Sequence, residues 1–345
     1  LFLFQTKYLT ERRINCRLWR KKFINLIKSE DVRCEELLKE FLTCEMKKIS
    51  NHKVKRKNKY SPIMICVIKN DLKKIEHFMN HYRKLGVEVF VFLDNSSTDG
   101  TTEYLCRQKD TIVYSSSQEY SSARRVAWIN RLLAIYGENR WCLVVDSDEL
   151  VDFIGSERYG FSDIVKYAID NSYQRLEGFM LDMYSEKELF DMEEDSFINT
   201  MNWFDKDTYI LSRKEQGIVI QGGPRTRIFR RNNKQMLSKY PLYYFDEEAF
   251  VASSHYMVPL KAKKEDIICF AIRHYKFMDG KDLEKVKEAV EKENYAGNSA
   301  DYKLYLSMIN RKGSINFYNE RNSVQYNNSE DLKTIFFIEN LFNDR

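Results

Sequence analysis

Two carboxylates, Asp146 and Asp148, stand one residue apart directly after the apolar run at residues 141–145. A short apolar run of this kind predicts a buried strand, so both side chains would leave the end of that strand close to one point. Carboxylate oxygens are hard ligands that suit a divalent cation. The pair therefore indicates a cation site, whereas an acidic pair considered alone is also common in surface turns.

Short apolar runs alternate with segments of helical spacing from Ser61 onward. The runs predict strands at 63–68, 87–93, 111–114 and 141–145, and the segments between them predict helices at 72–85, 101–107 and 126–136. Strands that alternate with helices predict a parallel sheet with right-handed crossovers. In open sheets of this type, ligands bind beyond the carboxyl ends of the strands.

A polar cluster follows each of the four predicted strands. The clusters are Lys69-Asn70-Asp71, Asp94-Asn95-Ser96, Ser115-Ser116-Ser117 and Asp146-Ser147-Asp148. Because parallel strands end at the same edge of a sheet, all four clusters are expected to lie together there. Residues 61–150 are therefore predicted to form a ligand-binding half-domain.

Further motifs accompany the acidic pair in a fixed order along residues 61–280. They read Leu93-Asp-Asn-Ser-Ser-Thr-Asp-Gly-Thr101, Val145-Asp-Ser-Asp-Glu149, Gly222-Gly-Pro-Arg-Thr-Arg-Ile-Phe229, Lys239-Tyr-Pro-Leu242, Ser254-His-Tyr256 and Arg273-His-Tyr-Lys-Phe277. Together they resemble the family 2 type of glycosyltransferase with a GT-A fold, and more narrowly the branch related to family 92 enzymes. Asp71 and Leu150 depart from the usual Glu and Phe, and neither change removes a charge.

The resemblance implies an α/β fold of GT-A type: a Rossmann-like, mostly parallel central sheet flanked by helices, with helical N-terminal and C-terminal additions. The GT-A domain is expected at 59–280, divided into a nucleotide-binding half at 59–150 and an acceptor half at 151–280. Residues 1–58 are predicted to be a helical extension with a basic linker, and residues 281–345 a helical C-terminal extension.

The resemblance also implies donor-site roles. Asp94 is expected to contact the nucleobase or ribose, although its turn-rich surroundings also fit an Asx turn. Lys69 and Asn70 are expected to contact the nucleotide by similar placement. Asp148 is expected to bind the metal, Mn²⁺ or Mg²⁺, and Asp146 to act at the ribose or through metal-bound water.

Two histidines and two arginines are further candidates. One of His255 and His274 is expected to complete the metal shell, since imidazole is a competent ligand for manganese; a buried, hydrogen-bonded histidine is the alternative. Arg225 and Arg227 follow a Gly-Gly pair, and their guanidinium groups would fit a diphosphate or an acidic acceptor. An edge strand with one solvated face is the alternative for this segment.

An inverting transfer requires a carboxylate base near the acceptor hydroxyl. Asp182 follows an apolar run, as Asp146 does, and is the favoured candidate. Asp246 and Glu247, with Glu248, follow the apolar residues 243–245 and remain alternatives. The sequence does not decide between these two locations.

The net charge of +5, from 56 basic and 51 acidic residues among 345, is too small to indicate nucleic-acid binding. Seven cysteines without a Cys-x-x-Cys pair favour a reducing, cytoplasmic compartment. The basic linker at 53–59 also fits peripheral contact with the inner face of a membrane.

The resemblance implies transfer of a hexose from a UDP-linked nucleotide sugar to a glycan or glycolipid acceptor, in bacterial surface polysaccharide such as lipopolysaccharide or capsule. A catalytically silent nucleotide-sugar or glycan-binding protein is the alternative.

Overall fold

The structure is a computed structural model that describes residues 16–29, 33–51, 53–188, 197–214, 217–229, 235–259, 267–276, 282–293, 299–313 and 315–342. The first 15 residues of the predicted N-terminal extension, and Phe277 of the last motif, lie outside these ranges.

The N-terminal part and the alternating segment contain the elements that the sequence predicts. They are α1 (Cys16–Lys28), α2 (Cys34–Thr43), β1 (Lys47–Lys48), β2 (Ile63–Ile68), α3 (Leu72–Lys84), β3 (Val89–Asp94), α4 (Thr101–Arg107), β4 (Thr111–Ser115), α5 (Ser122–Leu132), which continues as a π-helical turn (Leu133–Gly137), and β5 (Arg140–Val144). The two-residue strand β1 is the one element here that the sequence does not predict.

The remaining elements mix strands and helices. They are β6 (Glu149–Asp152), α6 (Phe161–Asp170), β7 (Arg175–Asp182), α7 (Phe197–Thr200), β8 (Trp203–Asp205), β9 (Tyr209–Lys214), β10 (Gly217–Gly222), α8 (Gly223–Phe229), β11 (Ser238–Phe245), β12 (Phe250–Val251), β13 (Met257–Val258), β14 (Ile268–His274), α9 (Asp282–Lys292), α10 (Ala300–Lys312), β15 (Ser323–Gln325) and a 3-10 helix (Ser329–Thr334). The predicted C-terminal extension is therefore helical over α9 and α10, and beyond them it contains the short strand β15 and a 3-10 helix.

Within the described residues, nine strands form one sheet in the order β1-β4-β3-β2-β5-β11-β7-β14-β6. Strands β4, β3, β2 and β5 are mutually parallel, and β14 is parallel to β7. Strand β11 is antiparallel to both β5 and β7, while β1 and β6 run antiparallel to their neighbours. The fold is thus mixed α/β with a parallel-rich central sheet, which confirms the predicted fold class at that level.

These strand directions place several element ends along one edge of the sheet. The carboxyl ends of β2, β3, β4, β5, β7 and β14 meet there, together with the amino ends of the antiparallel strands β6 and β11. We refer to this edge as the site edge. Because ligands of open α/β sheets bind beyond the carboxyl ends of the strands, the site edge is where binding chemistry is expected.

Both faces of the sheet are covered. Along β3, Phe90 and Phe92 pack into one apolar cluster with α3 and α6, while Val89 and Val91 pack into a second cluster with α1, α2 and α5. Side chains alternate between the two faces of a strand, so a strand covered on both sides is apolar throughout. The described part of the N-terminal extension therefore belongs to the covering layer of the sheet. No helix in the described part of the chain is long and apolar enough to cross a membrane.

Helix α1 is anchored by a buried lysine. Lys22 is fully buried, and its ammonium group donates hydrogen bonds to the carbonyl oxygens of Asp246 and, at 2.8 Å, Ala249. The same Nζ lies 3.7 Å from the ring centroid of Phe245. Burial lowers the pKa of Lys22 to about 8, because the charged form is poorly solvated there. The lysine thus carries a charge at neutral pH that the fold solvates less well than water does.

This buried charge predicts a pH-dependent stability. Between pH 8 and 10.5 the unfolded chain holds the Lys22 proton and the folded chain does not, so the free energy of unfolding should rise with pH by about 3 kcal/mol from this group. Below pH 8 the buried charge of Lys22 destabilises the folded state by its full amount. In Lys22→Met the rise should be missing, so urea unfolding of both proteins at pH 7 and 10.5 checks the expectation. An equal change in the free energy of unfolding of both proteins between pH 7 and 10.5 would contradict the expectation.

Candidate functional site

Five elements deliver polar side chains to the site edge. Asp146 follows β5, Glu149 begins β6, Asp182 ends β7, Lys239 lies near the start of β11 and His274 ends β14. The strand pairings bring them together, since His274 is the register partner of Glu149 on β6 and of Asp182 on β7. The sheet topology therefore assembles residues that are up to 128 positions apart in the sequence.

Three carboxylates form a cluster in the turn between β5 and β6. Oxygens of Asp146, Asp148 and Glu149 lie within 4.8 Å of one another. The turn is closed by Glu149 N donating to Asp146 O at 3.1 Å and Asp146 N donating to a carboxylate oxygen of Glu149 at 3.0 Å. Tyr275 N donates to Asp148 O at 2.9 Å and so fixes the turn against the end of β14. The acidic pair therefore sits at a strand end, as the sequence predicts.

Two cations hold part of this cluster. Arg125 forms an ion pair with Asp146, and Lys239 Nζ lies 2.6 and 2.5 Å from the two oxygens of Glu149 and 3.4 Å from Asp146. Burial by itself would raise the pKa of Asp146, but the charges of Arg125 and Lys239 hold it well below its usual value. Burial raises the pKa of Glu149, and the charge of Lys239 only partly opposes this.

Asp148 faces an oriented histidine. The carboxylate of Asp148 is a quarter exposed, and its Oδ2 lies 3.7 Å from His274 Nε2, beyond hydrogen-bond distance. On the other side of the ring, His274 Nδ1 donates to Asp182 Oδ1 at 2.7 Å. With Nδ1 bound to Asp182, the other ring nitrogen, Nε2, faces Asp148. Histidines that bind metals commonly have this backing carboxylate.

The donor set fits the predicted metal. Carboxylate oxygens suit Mg²⁺ and Mn²⁺, and an imidazole nitrogen is compatible with Mn²⁺. Asp148 and His274 present such atoms to one point, whereas the oxygens of Asp146 and Glu149 are already bound by Arg125 and Lys239. Of the three carboxylates, Asp148 is thus the one left open to an added ligand.

Asp182 is fully engaged. Its second oxygen, Oδ2, accepts a hydrogen bond from Arg225 Nε at 2.7 Å, while Oδ1 is bound by His274. Burial alone would raise its pKa, but the Arg225 charge and the His274 hydrogen bond lower the pKa of Asp182 to about 2. The carboxylate is therefore ionised at neutral pH and weakly basic, with both oxygens in hydrogen bonds.

The Gly-Gly pair places Arg225 on Asp182. Gly222 and Gly223 both have positive φ, at 116° and 77°. A Cβ at Gly222 would meet the carbonyl oxygen of Thr208 at 2.3 Å, so only glycine fits there. Helix α8 starts at this turn, which makes the alternative prediction of an edge strand for residues 225–229 wrong. One turn into α8, Arg225 reaches the carboxylate of Asp182.

Arg227 lies on the same short helix but binds elsewhere. Its guanidinium contacts the buried carboxylate of Asp205 at 3.0 and 2.8 Å and donates to the carbonyl oxygen of Phe317 at 2.7 Å. These contacts tie α8 to β8 and to the C-terminal segment. The structure thus brings Arg225 to the site edge and holds Arg227 in a structural ion pair.

Asp94 forms the centre of a turn at the end of β3. It accepts hydrogen bonds from Ser97 N at 3.1 Å and Thr102 Oγ1 at 2.9 Å, in addition to the Ser97 hydroxyl. Asn70 joins the same turn, because its side-chain oxygen accepts from Thr98 N at 2.8 Å. Lys69 is exposed beside them. The turn alternative for Asp94 is therefore realised, at the same edge as the acidic cluster.

His255 and His274 have different surroundings. His255 Nδ1 lies 3.0 Å from the carbonyl oxygen of Ser238, and His255 lines a pocket together with Arg125 and Lys239. Burial and the nearby Lys239 charge lower the pKa of His255 to about 4, so this ring is neutral at physiological pH. Of the two predicted histidines, His274 is the one within 4 Å of a carboxylate of the cluster.

The structure does not bring Asp246 and Glu247 to the site edge. Both follow β11, which runs antiparallel to β5 with Phe245 opposite Arg140 at the start of β5. They consequently lie at the opposite edge of the sheet, where Asp246 binds Lys22 and Glu247 pairs with Lys21. The sequence argument failed here because an apolar run does not reveal the direction of its strand.

Sequence reasoning missed Arg125 and Lys276 as site residues. Arg125 lies in the first turn of α5, whose N-cap Ser121 accepts a hydrogen bond from Arg124 N. A signal for Arg125 was present, since it precedes Ile129 by four residues and so lies on the face of α5 that the sequence predicts to be buried. A charged residue on a buried face requires a partner, here Asp146. Lys276 directly follows β14 and belongs to the motif at residues 273–277, so that motif was its signal.

Comparison with known proteins gives little further information. No protein-family model matches the chain, and no curated protein matches it. Among solved structures, the chain is similar to the crystal structure of S. aureus TarS 1-349, with 16% identity and a TM-score of 0.31 over 72% of this chain and 70% of that one. A similarity this low carries no argument about fold or activity.

Proposed function

We propose that this protein is a metal-dependent, inverting glycosyltransferase of the GT-A type. It would transfer a hexose from a nucleotide sugar, UDP-linked, to a glycan or glycolipid acceptor in the synthesis of a bacterial surface polysaccharide such as lipopolysaccharide or capsule. One observation carries the proposal: Asp148 and the Asp182-backed His274 converge at the site edge, where β5, β7 and β14 end. The donor, acceptor and inversion follow the resemblance of the sequence motifs.

Asp148 and His274 are proposed to hold the Mn²⁺ or Mg²⁺ ion. When bound, the cation would neutralise negative charge on the diphosphate leaving group. Asp146 is proposed to lie behind this pair, because Arg125 and Lys239 already bind its oxygens. Its contribution would be to position the turn that carries Asp148 and to meet the ribose side of the donor.

Asp182 is proposed to orient His274 and Arg225, and not to act as the base. Both of its oxygens are in hydrogen bonds, and its pKa of about 2 leaves it little tendency to take a proton. By fixing the Nδ1 proton of His274, it leaves Nε2 available as a ligand atom. The location of Asp246 and Glu247 at the opposite edge removes them from the proposal.

The exposed residues Lys69 and Asn70 are proposed to contact the nucleotide beside the turn at Asp94. Asp94 would act through that turn, which its hydrogen bonds to Ser97 and Thr102 hold at the carboxyl end of β3.

A membrane-facing surface is proposed for the basic linker. Lys53, Lys55, Lys57 and Lys59 are exposed, and the residues between them that the structure describes are half-buried. Four lysine side chains are therefore exposed along one short stretch of the chain. Each would gain roughly 1 kcal/mol near an anionic lipid surface, which supports peripheral contact with the inner face of a membrane by a cytoplasmic enzyme.

A screen of nucleotide sugars tests the proposed activity. The full chain is incubated with UDP-, GDP- and dTDP-hexoses, with Mn²⁺ or with EDTA, and release of the nucleotide is measured. Release from at least one donor is expected with Mn²⁺ and none with EDTA. Nucleotide binding in a thermal shift without any release would favour the catalytically silent alternative. If the protein neither binds a nucleotide nor releases one from any donor, the proposal of a nucleotide-sugar site is rejected.

A further inference from the structure

A second pocket adjoins the acidic cluster at the ends of β7 and β14. Its volume is about 20 Å³, room for one small group, and Asp182 and Arg225 are among its lining residues. Since Asp182 also binds His274, which faces Asp148, the pocket lies next to the proposed metal pair. A group bound in this pocket would therefore lie beside the proposed metal pair, next to which an acceptor must be placed.

Arg225 presents an unused donor. Its side chain is only 3% exposed, its Nε donates to Asp182 at 2.7 Å and its Nη1 donates to the Tyr305 hydroxyl at 3.4 Å. Its Nη2 is buried and has no hydrogen-bond partner among the described residues. A buried donor without a partner destabilises the fold, and more so in a charged group. Because two of its nitrogens are fixed, the direction of the third is fixed as well.

Two lysines add positive charge to the same pocket. Lys276 Nζ donates to the Tyr302 hydroxyl at 2.6 Å, which leaves two of its three protons for other acceptors. Lys187 is exposed and lines the same pocket. Among the described lining residues, Lys187, Arg225 and Lys276 are thus opposed by the single carboxylate of Asp182, and that carboxylate is already bound on both oxygens.

The remaining walls are largely apolar. Met183, Met201 and Phe317 also line the pocket, and such side chains do not solvate a charge. The arrangement of one fixed guanidinium, two ammonium groups and apolar walls differs from what a neutral sugar alone would need. Guanidinium donors match the oxygens of phosphate and carboxylate groups.

We propose that this pocket binds an oxyanion carried by the acceptor, a phosphate or a carboxylate attached to a sugar or polyol. Arg225 Nη2 binds one oxygen of the anion, and Lys276 and Lys187 bind the others from the rim. The assignment of the anion to the acceptor rests on the proposed glycosyl transfer. The presence of an anion site in this pocket does not depend on the proposed glycosyl transfer.

Calorimetric titration of the full chain tests the anion site without metal or donor. In buffer with EDTA, the protein is titrated with sn-glycerol 3-phosphate and D-glucuronate, and with glycerol and D-glucose as their neutral counterparts. At least one anion should bind about tenfold tighter than its neutral counterpart, because hydrogen bonds to charged groups are stronger than hydrogen bonds to neutral ones. Preference for glycerol 3-phosphate assigns a phosphate, and preference for glucuronate assigns a carboxylate.

Two variants locate the binding. Arg225→Lys keeps the positive charge but replaces the planar guanidinium by a single ammonium group. This change should weaken binding of the anion about tenfold. Lys187→Met changes an exposed residue, so folding is preserved, and should weaken the anion about threefold. Lys109→Met, an exposed lysine in the turn after α4, is the matched control and should have no effect.

Three results would overturn the proposal. The first is equal affinity for charged and neutral compounds. The second is unchanged affinity for the anion in both Arg225→Lys and Lys187→Met. The third is displacement of the anion by UDP with Mn²⁺, which would assign the pocket to the donor diphosphate. Anion binding in a protein that releases no nucleotide from any donor would retain the anion site and reject the glycosyl transfer. Failure of this inference and failure of the proposed function are therefore distinguishable.

Discussion

Asp148→Asn is expected to abolish the metal dependence of the protein. The amide is nearly isosteric with the carboxylate but lacks its charge, and Asp148 is the carboxylate of the cluster that no described cation occupies at hydrogen-bond distance. A metal ion that stabilises charge on a leaving group contributes several kcal/mol, so nucleotide release with Mn²⁺ should fall by about 10³-fold. Initial rates and calorimetric Mn²⁺ titration in the presence of UDP measure the two effects.

Folding must be separated from metal binding in this variant. Burial opposes the charge of Asp148, but the charges of His274 and Lys74 hold its pKa below the usual value, so removing the carboxylate should lower the free energy of unfolding modestly. Asp170→Asn, at the exposed end of α6, is the matched control and should retain both Mn²⁺ binding and activity. Wild-type Mn²⁺ affinity in Asp148→Asn would reject Asp148 as a metal ligand.

The part of the fold that the sequence predicts best is the alternating half. Strand β2 occupies 63–68 as predicted, and β5 begins and ends one residue before the predicted 141–145. These strands are covered on both faces, so each appears in the sequence as an unbroken apolar run. The acidic pair could be located for the same reason, since a buried run has a definite end and the residues after it leave the sheet at a known edge.

The acceptor side could not be predicted in the same way. The sequence favoured Asp182 but left Asp246 open, since both are acids after apolar runs, whereas β7 and β11 run in opposite directions. Strand direction is set by how the whole sheet assembles, and no local pattern encodes it. The ion pair of Arg225 with Asp182 was also inaccessible, because it requires the turn at Gly222 and Gly223 to place α8 against the end of β7.

Lys239→Met is expected to be among the most destabilising single changes in the protein. The Lys239 and Glu149 side chains are only 4% and 2% exposed, and they form a close ion pair. Removing the lysine leaves the Glu149 carboxylate buried without its cation, and breaking a buried pair from one side costs about 3–5 kcal/mol. Urea unfolding should show this loss as a lower midpoint with an unchanged slope.

A double-mutant cycle determines whether this loss comes from the pair. In Lys239→Met/Glu149→Gln the charge of Glu149 is removed as well, while the Gln side-chain oxygen can still accept the hydrogen bond from Asp146 N. The double variant should therefore be more stable than Lys239→Met alone, with a coupling energy of about 1–3 kcal/mol. Additive losses would show that Lys239 stabilises the fold by packing alone. A recovered fold that still lacks Mn²⁺-dependent nucleotide release would show that the pair also holds the turn carrying Asp148 in its binding geometry.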